Sequence, residues 1–108
     1  MQTQLTDNTN SEISIALSQF VILTEDDWQV FKINFEKINP GFIKRLKLKM
    51  PHITQAEQRI ILLTKLGFNT KEMANATGVS SETIRSVVSR MRKKFNLETD
   101  IHTIANEV

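Results

Sequence analysis

Downstream of residue 23 the apolar positions recur at helical intervals, and the stretches between them begin on capping residues and end on Gly, Asn or Pro. Thr24 followed by Glu25, Asp26 and Asp27 predicts a capped helix start, and Trp28, Phe31, Phe35 and Ile38 line one face up to the Asn39-Pro40-Gly41 break. A shorter helix follows from Phe42 to about Lys49, with Phe42, Ile43, Leu46 and Met50 inward and Lys44, Arg45, Lys47 and Lys49 outward. Thr54 and Glu57 form a capping box, and Ala56, Ile60, Leu63 and Leu66 carry the next helix to Gly67. Asn69 and Glu72 repeat the device. Near the end Ile101, Ile104, Ala105 and Val108 fall at i, i+3, i+4 and i+7 behind Thr99 or Asp100 as cap, a short amphipathic helix that either closes the core or faces a partner. Successive helices on short connections predict an all-α fold, a compact helical bundle. Upstream the pattern changes. Residues 1–11 are polar with little to bury, while Ile13, Ile15 and Leu17 alternate with Ser14, Ala16 and Ser18. Such alternation suggests a strand, although so short a span also suits a helix. Residues 1–23 are therefore expected to be flexible or partly ordered.

The register between Thr70 and Phe95 is the most specific feature. Ala74 falls mid-way in one predicted helix, where a small side chain lets a second helix approach. Gly78 follows at the position where the backbone needs positive φ, Val79 is expected to plug the core, and Ser80 offers a hydroxyl cap. Ile84, Val87, Val88, Met91 and Phe95 then make one apolar stripe. The opposite face collects Glu82, Arg85, Ser86, Ser89 and Lys93, flanked by Arg90, Arg92 and Lys94. This is the layout of a helix-turn-helix that offers a basic helix to a groove. A basic helix alone is most simply a solvated surface; the small residue, glycine, cap and stripe in one register favour the functional interpretation.

Composition narrows the choice further. A net charge of +2 is modest, but the basic residues cluster from Lys44 to Lys49 and from Arg85 to Lys94. Local clustering matters more than the total, because attraction to phosphate acts over about one Debye length. For the first cluster a solvated face is the simpler interpretation. Cysteine is absent, and His52 and His102 stand in no metal-ligand spacing, so neither disulfides nor a zinc site is expected and no cofactor is implied. No apolar run approaches a membrane span and no signal peptide opens the chain, so the expected location is cytoplasmic. No nucleophile–base pair, paired carboxylates or phosphate loop occurs at a usable spacing, so an enzyme is not expected.

The segments Ile53-Thr54-Gln55-Ala56-Glu57, Gly67 to Ala74, Val79-Ser80, Thr83-Ile84-Arg85 and Arg92-Lys93-Lys94-Phe95 together resemble the LuxR/GerE-type helix-turn-helix domain of bacterial transcription regulators. The resemblance covers residues 53–108, about half the chain. Upstream, Asp27-Trp28 with Phe31 and Phe35, then Pro40-Gly41-Phe42, look like the helical extension that precedes this domain in regulators from Bacteroidetes-type bacteria. The resemblance implies a four-helix domain over residues 52–108 preceded by two helices over 24–51, either as a stand-alone regulator or as the effector end of a longer protein. It places base reading at Arg85, Ser86 and Ser89, phosphate contacts at Lys71, Arg92, Lys93 and Lys94, and dimer contacts at Ile101, Ile104 and Val108. Two positions depart from the family: Val87 stands where His is frequent, and Asn96 replaces a common Gly. Asn tolerates the left-handed conformation, so the turn is expected to persist.

The expected function is sequence-specific binding of double-stranded DNA as a homodimer, to regulate transcription. One alternative is a sigma-factor-like promoter-reading domain, for which RNA polymerase is the partner. Another is a protein-interaction module without DNA affinity, docking through Trp28 and the apolar N-terminal stretch. Nothing in the residues indicates a phosphoacceptor cluster or a ligand pocket.

Overall fold

The computed structural model describes residues 12, 13, 15, 16 and 21–108. Glu12, Ile13, Ile15 and Ala16 are helical, so the suggested strand does not form at these positions, whereas Leu5, Ser14, Leu17, Ser18 and Phe20 lie outside the described residues. Six helices follow: α1 Glu25–Ile38, α2 Phe42–Lys49, α3 Gln55–Lys65, α4 Thr70–Thr77, α5 Ser81–Lys94 and α6 Ile101–Glu107. No strand occurs among the described residues, and the fold is an all-α bundle. No described helix is long and apolar enough to cross a membrane.

Five of the six helix starts are capped by a side chain at the start itself; at α2 Gly41 has none, and the Glu36 carboxylate of α1 accepts from the Gly41 and Ile43 N–H groups at 2.8 and 3.2 Å. Full capping boxes close around Thr24 and Asp27, Thr54 and Glu57, and Asn69 and Glu72. At α5 the Ser80 side chain accepts from the Thr83 N–H, and at α6 Asp100, rather than Thr99, accepts from the Thr103 N–H. Each such contact satisfies a donor that the first helical turn leaves without an intrahelical partner. The helix ends follow equally local rules. Gly78 takes φ +72° after α4, and the Val79 N–H reaches back to the Ala74 carbonyl at 3.1 Å. Asn96 takes φ +53° after α5, where the Leu97 N–H bonds the Arg92 carbonyl at 2.8 Å and the Asn96 N–H bonds Lys93 at 3.2 Å. That pair of bonds is the Schellman arrangement, and it explains why Asn serves where Gly is common.

One core cluster runs from Ile22 to Ala105 and joins the α1–α2 extension to the rest. Helix α3 is its centre: Ile60, Ile61, Leu62 and Leu63 are all buried, and α3 packs against α4, α5 and α6. Because α3 is surrounded, its apolar surface is wider than the single stripe expected. Ala56, expected inward, is exposed at the first turn. On α1, Trp28, Phe31 and Phe35 stack in sequence, with ring centroids 6.0 and 6.2 Å apart, and Phe35 meets Phe42 of α2 edge-on at 5.2 Å. Trp28 is only 1% exposed, which removes it from any docking surface. Arg59 and Lys32 lie over its ring at 5.3 and 5.2 Å.

Residues 21–24 bind this extension to the end of α4. The buried Ile22 donates its N–H to the Ala76 carbonyl at 2.6 Å, satisfying one of α4's last acceptors. Leu23 lies over Gly78, where an added Cβ would come within 2.6 Å of its Cδ2. The Asp27 carboxylate accepts from the N–H groups of Leu23 and Thr24, each at 3.0 Å, and these bonds hold its carboxyl below the usual range. With Ile22 inside, Val79 is not needed as the plug; it is 41% exposed beside the turn.

Candidate nucleic-acid interface

Helix α5 is held from one side. Ile84 and Met91 are buried, Val87, Val88 and Phe95 are partly buried against the core, and α5 packs on α3 and α4. The other side is open: Glu82, Arg85, Ser86, Ser89, Arg90 and Lys93 are exposed. Arg85, Ser89 and Lys93 succeed one another at i, i+4 and i+8 and so form a ridge along the helix. Neither Arg85 nor Lys93 has a hydrogen bond or ion pair among the described residues, and the same holds for Lys71 on the exposed surface of α4.

Two grooves flank α5 and divide the residues expected to act together. Arg85, Ser89, Arg92 and Lys93 line a cleft of about 520 Å³ shared with α4 and α6. Arg90, Val87 and Lys94 line a second groove against the start of α3. Ser86 lines neither and faces outward between them. Val87 is half-buried against the core, so this position provides packing.

Lys94, expected at a phosphate, has an internal partner. Its Nζ lies 2.9 Å from Oε1 of Glu57, whose side chain is only 9% exposed. Burial pushes the Glu57 carboxyl upward, but the Thr54 N–H and the Lys94 ammonium outweigh it and hold the carboxyl below its ordinary value. One carboxylate thus caps α3 and ties the last turn of α5 to it. Capping accounts for Glu57 in sequence terms, and the tether, 37 residues away in the chain, has no local signal. Arg92 is also partly engaged: Nη2 donates to the Glu98 carbonyl at 3.4 Å, while Nε is buried with no partner.

The residues expected as dimer contacts are mostly interior. Ile101 and Ile104 are 9% and 4% exposed, Val108 is partly buried, and α6 packs on α3. Their apolar surface is used within the chain, which removes Ile101 and Ile104 from any intersubunit face.

The cleft itself was not anticipated. Thr70, Asn96 and His102 line it beside the basic residues. They come from three separate elements, so no spacing in the sequence announces them. Comparison with protein-family models, curated proteins and solved structures finds no match to the chain.

Proposed function

We propose that the chain binds double-stranded DNA in a sequence-dependent way and regulates transcription, with α5 as the helix that enters the major groove. The observation carrying this proposal is the ridge Arg85, Ser89 and Lys93, solvent-facing and without acidic partners among the described residues, on a helix whose reverse side is anchored by Ile84 and Met91. A groove-reading helix needs this combination: a rigid back, and donors that no internal acceptor occupies. The resemblance to LuxR/GerE-type domains points the same way.

Roles follow from side-chain chemistry. Arg85 presents a guanidinium fork able to donate two bonds to a guanine edge, and Ser86 and Ser89 add shorter contacts. Lys93 and Lys71 supply charge to phosphates. Lys94 acts mainly by fixing α5 on α3 through Glu57, and Arg92 contributes from the cleft. Glu82, in the first turn of α5, favours the positive end of the helix and repels phosphate there, which orients the helix in the groove.

Selection of bound duplexes from a random pool, followed by polarisation titration across salt, tests the proposal. The expected result is an enriched motif whose log binding constant falls linearly with log salt. Absence of salt-dependent duplex binding would sink it. A homodimer on two half-sites belongs to the same proposal and requires a surface other than Ile101 and Ile104. Sedimentation of the DNA complex gives its stoichiometry.

A further inference from the structure

We infer that the cleft between α4, α5 and α6 is a binding site for a small amphipathic oxyanion, an alkyl or aryl body bearing a phosphate or carboxylate head, whose occupancy competes with duplex binding on α5. The competition rests on the DNA-binding proposal; the ligand site does not.

The cleft has two chemistries. Its volume, about 520 Å³, falls within the roughly 300–1,000 Å³ of small-molecule sites. Met73, Ile84, Val88, Leu97 and Ile101 contribute apolar lining from α4, α5, the following turn and α6. Arg85, Arg92 and Lys93 contribute permanent positive charge, and no carboxylate of the described residues lines the cleft. Cations gathered along a concave surface raise the local concentration of anions. A nucleic-acid backbone has use for the cations but none for an apolar lining, whereas an amphipathic anion uses both.

A second observation concerns donors. Arg85 and Lys93 have no partner among the described residues, and the buried Nε of Arg92 lacks an acceptor. An oxyanion in the cleft would give the unpartnered Arg85 and Lys93 charge-assisted hydrogen bonds that no internal acceptor supplies. Thr70, Ser89 and Asn96 add neutral hydrogen-bonding groups to the same lining. Because Arg85 and Ser89 belong both to the cleft and to the exposed ridge, a head group held there occupies donors that a base edge would take.

The test uses the full chain, nitrogen-15 labelled and free of DNA, titrated with octyl phosphate, octanol and inorganic phosphate below any micelle concentration. Octyl phosphate is expected to give saturable shifts centred on the amides of Val88, Leu97 and Ile101, with octanol and inorganic phosphate each weaker by about ten-fold or more. Shortening octyl to hexyl phosphate removes two methylenes and is expected to weaken binding by about ten-fold. Arg92→Gln is expected to weaken octyl phosphate by about ten-fold, with Lys47→Gln on α2 as a control that changes nothing. If Arg92→Gln fails to fold by circular dichroism, Lys93→Gln takes its place with the same expectation. Equal binding of inorganic phosphate would reduce the site to a plain phosphate seat, equal binding of octanol to a greasy groove, and shifts elsewhere or none would remove it; each overturns the inference. A selected duplex, added last, should be displaced by octyl phosphate and not by octanol. If no duplex binds, the DNA proposal fails while the titration still decides the ligand site. If a duplex binds and octyl phosphate leaves it in place, the competition fails.

Discussion

Helices α2 and α5 are both basic, and the cations that each commits to the fold have different destinations. On α2, Arg45 donates through Nε to the Val108 carbonyl at 3.2 Å and through Nη1 to the Pro40 carbonyl at 3.0 Å, and Lys49 donates to the Glu107 carbonyl at 3.2 Å. These cations close the end of α6, where helix carbonyls lack intrahelical partners. On α5, Arg90, Arg92 and Lys94 meet the Ser86 carbonyl, the Glu98 carbonyl and the Glu57 carboxylate, whereas Arg85 and Lys93 have no hydrogen bond or ion pair among the described residues. Each basic run thus conceals cations tied to the fold beside cations left to solvent, and on α5 the untied pair is Arg85 and Lys93 on the exposed ridge. A basic run becomes evidence for a polyanion partner only after its internal acceptors are known.

The strongest way to break this contrast is to remove Arg85. Arg85→Ala is expected to cost about 1 to 3 kcal/mol of discrimination between a selected duplex and a scrambled one, measured by polarisation. The thermal midpoint should stay put, because the side chain touches no internal partner. Loss of stability without loss of discrimination would place Arg85 with the α2 residues instead.

Lys94→Ala sharpens the contrast within α5. Removing the ammonium leaves the Glu57 carboxylate with the Thr54 N–H alone. Since Lys94 itself is partly exposed, the expected destabilisation is about 1 to 2 kcal/mol by urea titration. Lys93→Ala, one residue earlier, should leave stability unchanged and reduce the salt slope of duplex binding by about one. If the two substitutions behave alike, the tether assigned to Lys94 is wrong.

On α2 the expected effects are smaller and confined to the fold. Arg45→Ala removes both carbonyl contacts and should cost about 0.5 to 1.5 kcal/mol, with faster amide exchange at the end of α6 and no change in duplex affinity. A change in affinity instead would mean that α2 also touches the nucleic acid.

Acid provides the gentlest probe. The carboxyls of Glu57 and Asp27 are held below their ordinary values of 4.5 and 3.8, so the native chain gives up these protons more readily than the unfolded chain. Their stabilisation is complete above those ordinary values and is lost as pH falls through the lower native ones. Midpoints measured from pH 6 downward should therefore fall below about pH 4.5, and Lys94→Ala should blunt the decline.

Much of the helical layout was legible because its causes are local. Thr24, Thr54, Asn69, Ser80 and Asp100 cap within three residues, and Gly78 and Asn96 close their helices by adopting positive φ. The apolar stripe of α5 and the outward placement of Arg85, Ser86, Ser89 and Lys93 follow from helical period alone. Errors arose where one element's environment depends on a distant one. Val79 reads as a plug from its own register, yet it stands 41% exposed, while Ile22, 57 residues upstream, is buried and bonded to the end of α4. Ile101 and Ile104 form an apolar stripe whichever partner covers them, and periodicity cannot distinguish α3 from a second chain.

The sequence by itself determined where helices start and stop and which side of each is apolar, since caps, left-handed turns and the 3.6-residue period act over a few residues. Only the tertiary structure decided which cations have partners: Lys94 on Glu57, Arg45 and Lys49 on the end of α6, and Arg85 and Lys93 on none among the described residues. It also decided that a cleft opens beside α5. Ion pairs and cavities are made by residues remote in the chain, and their distances are fixed only when the helices pack.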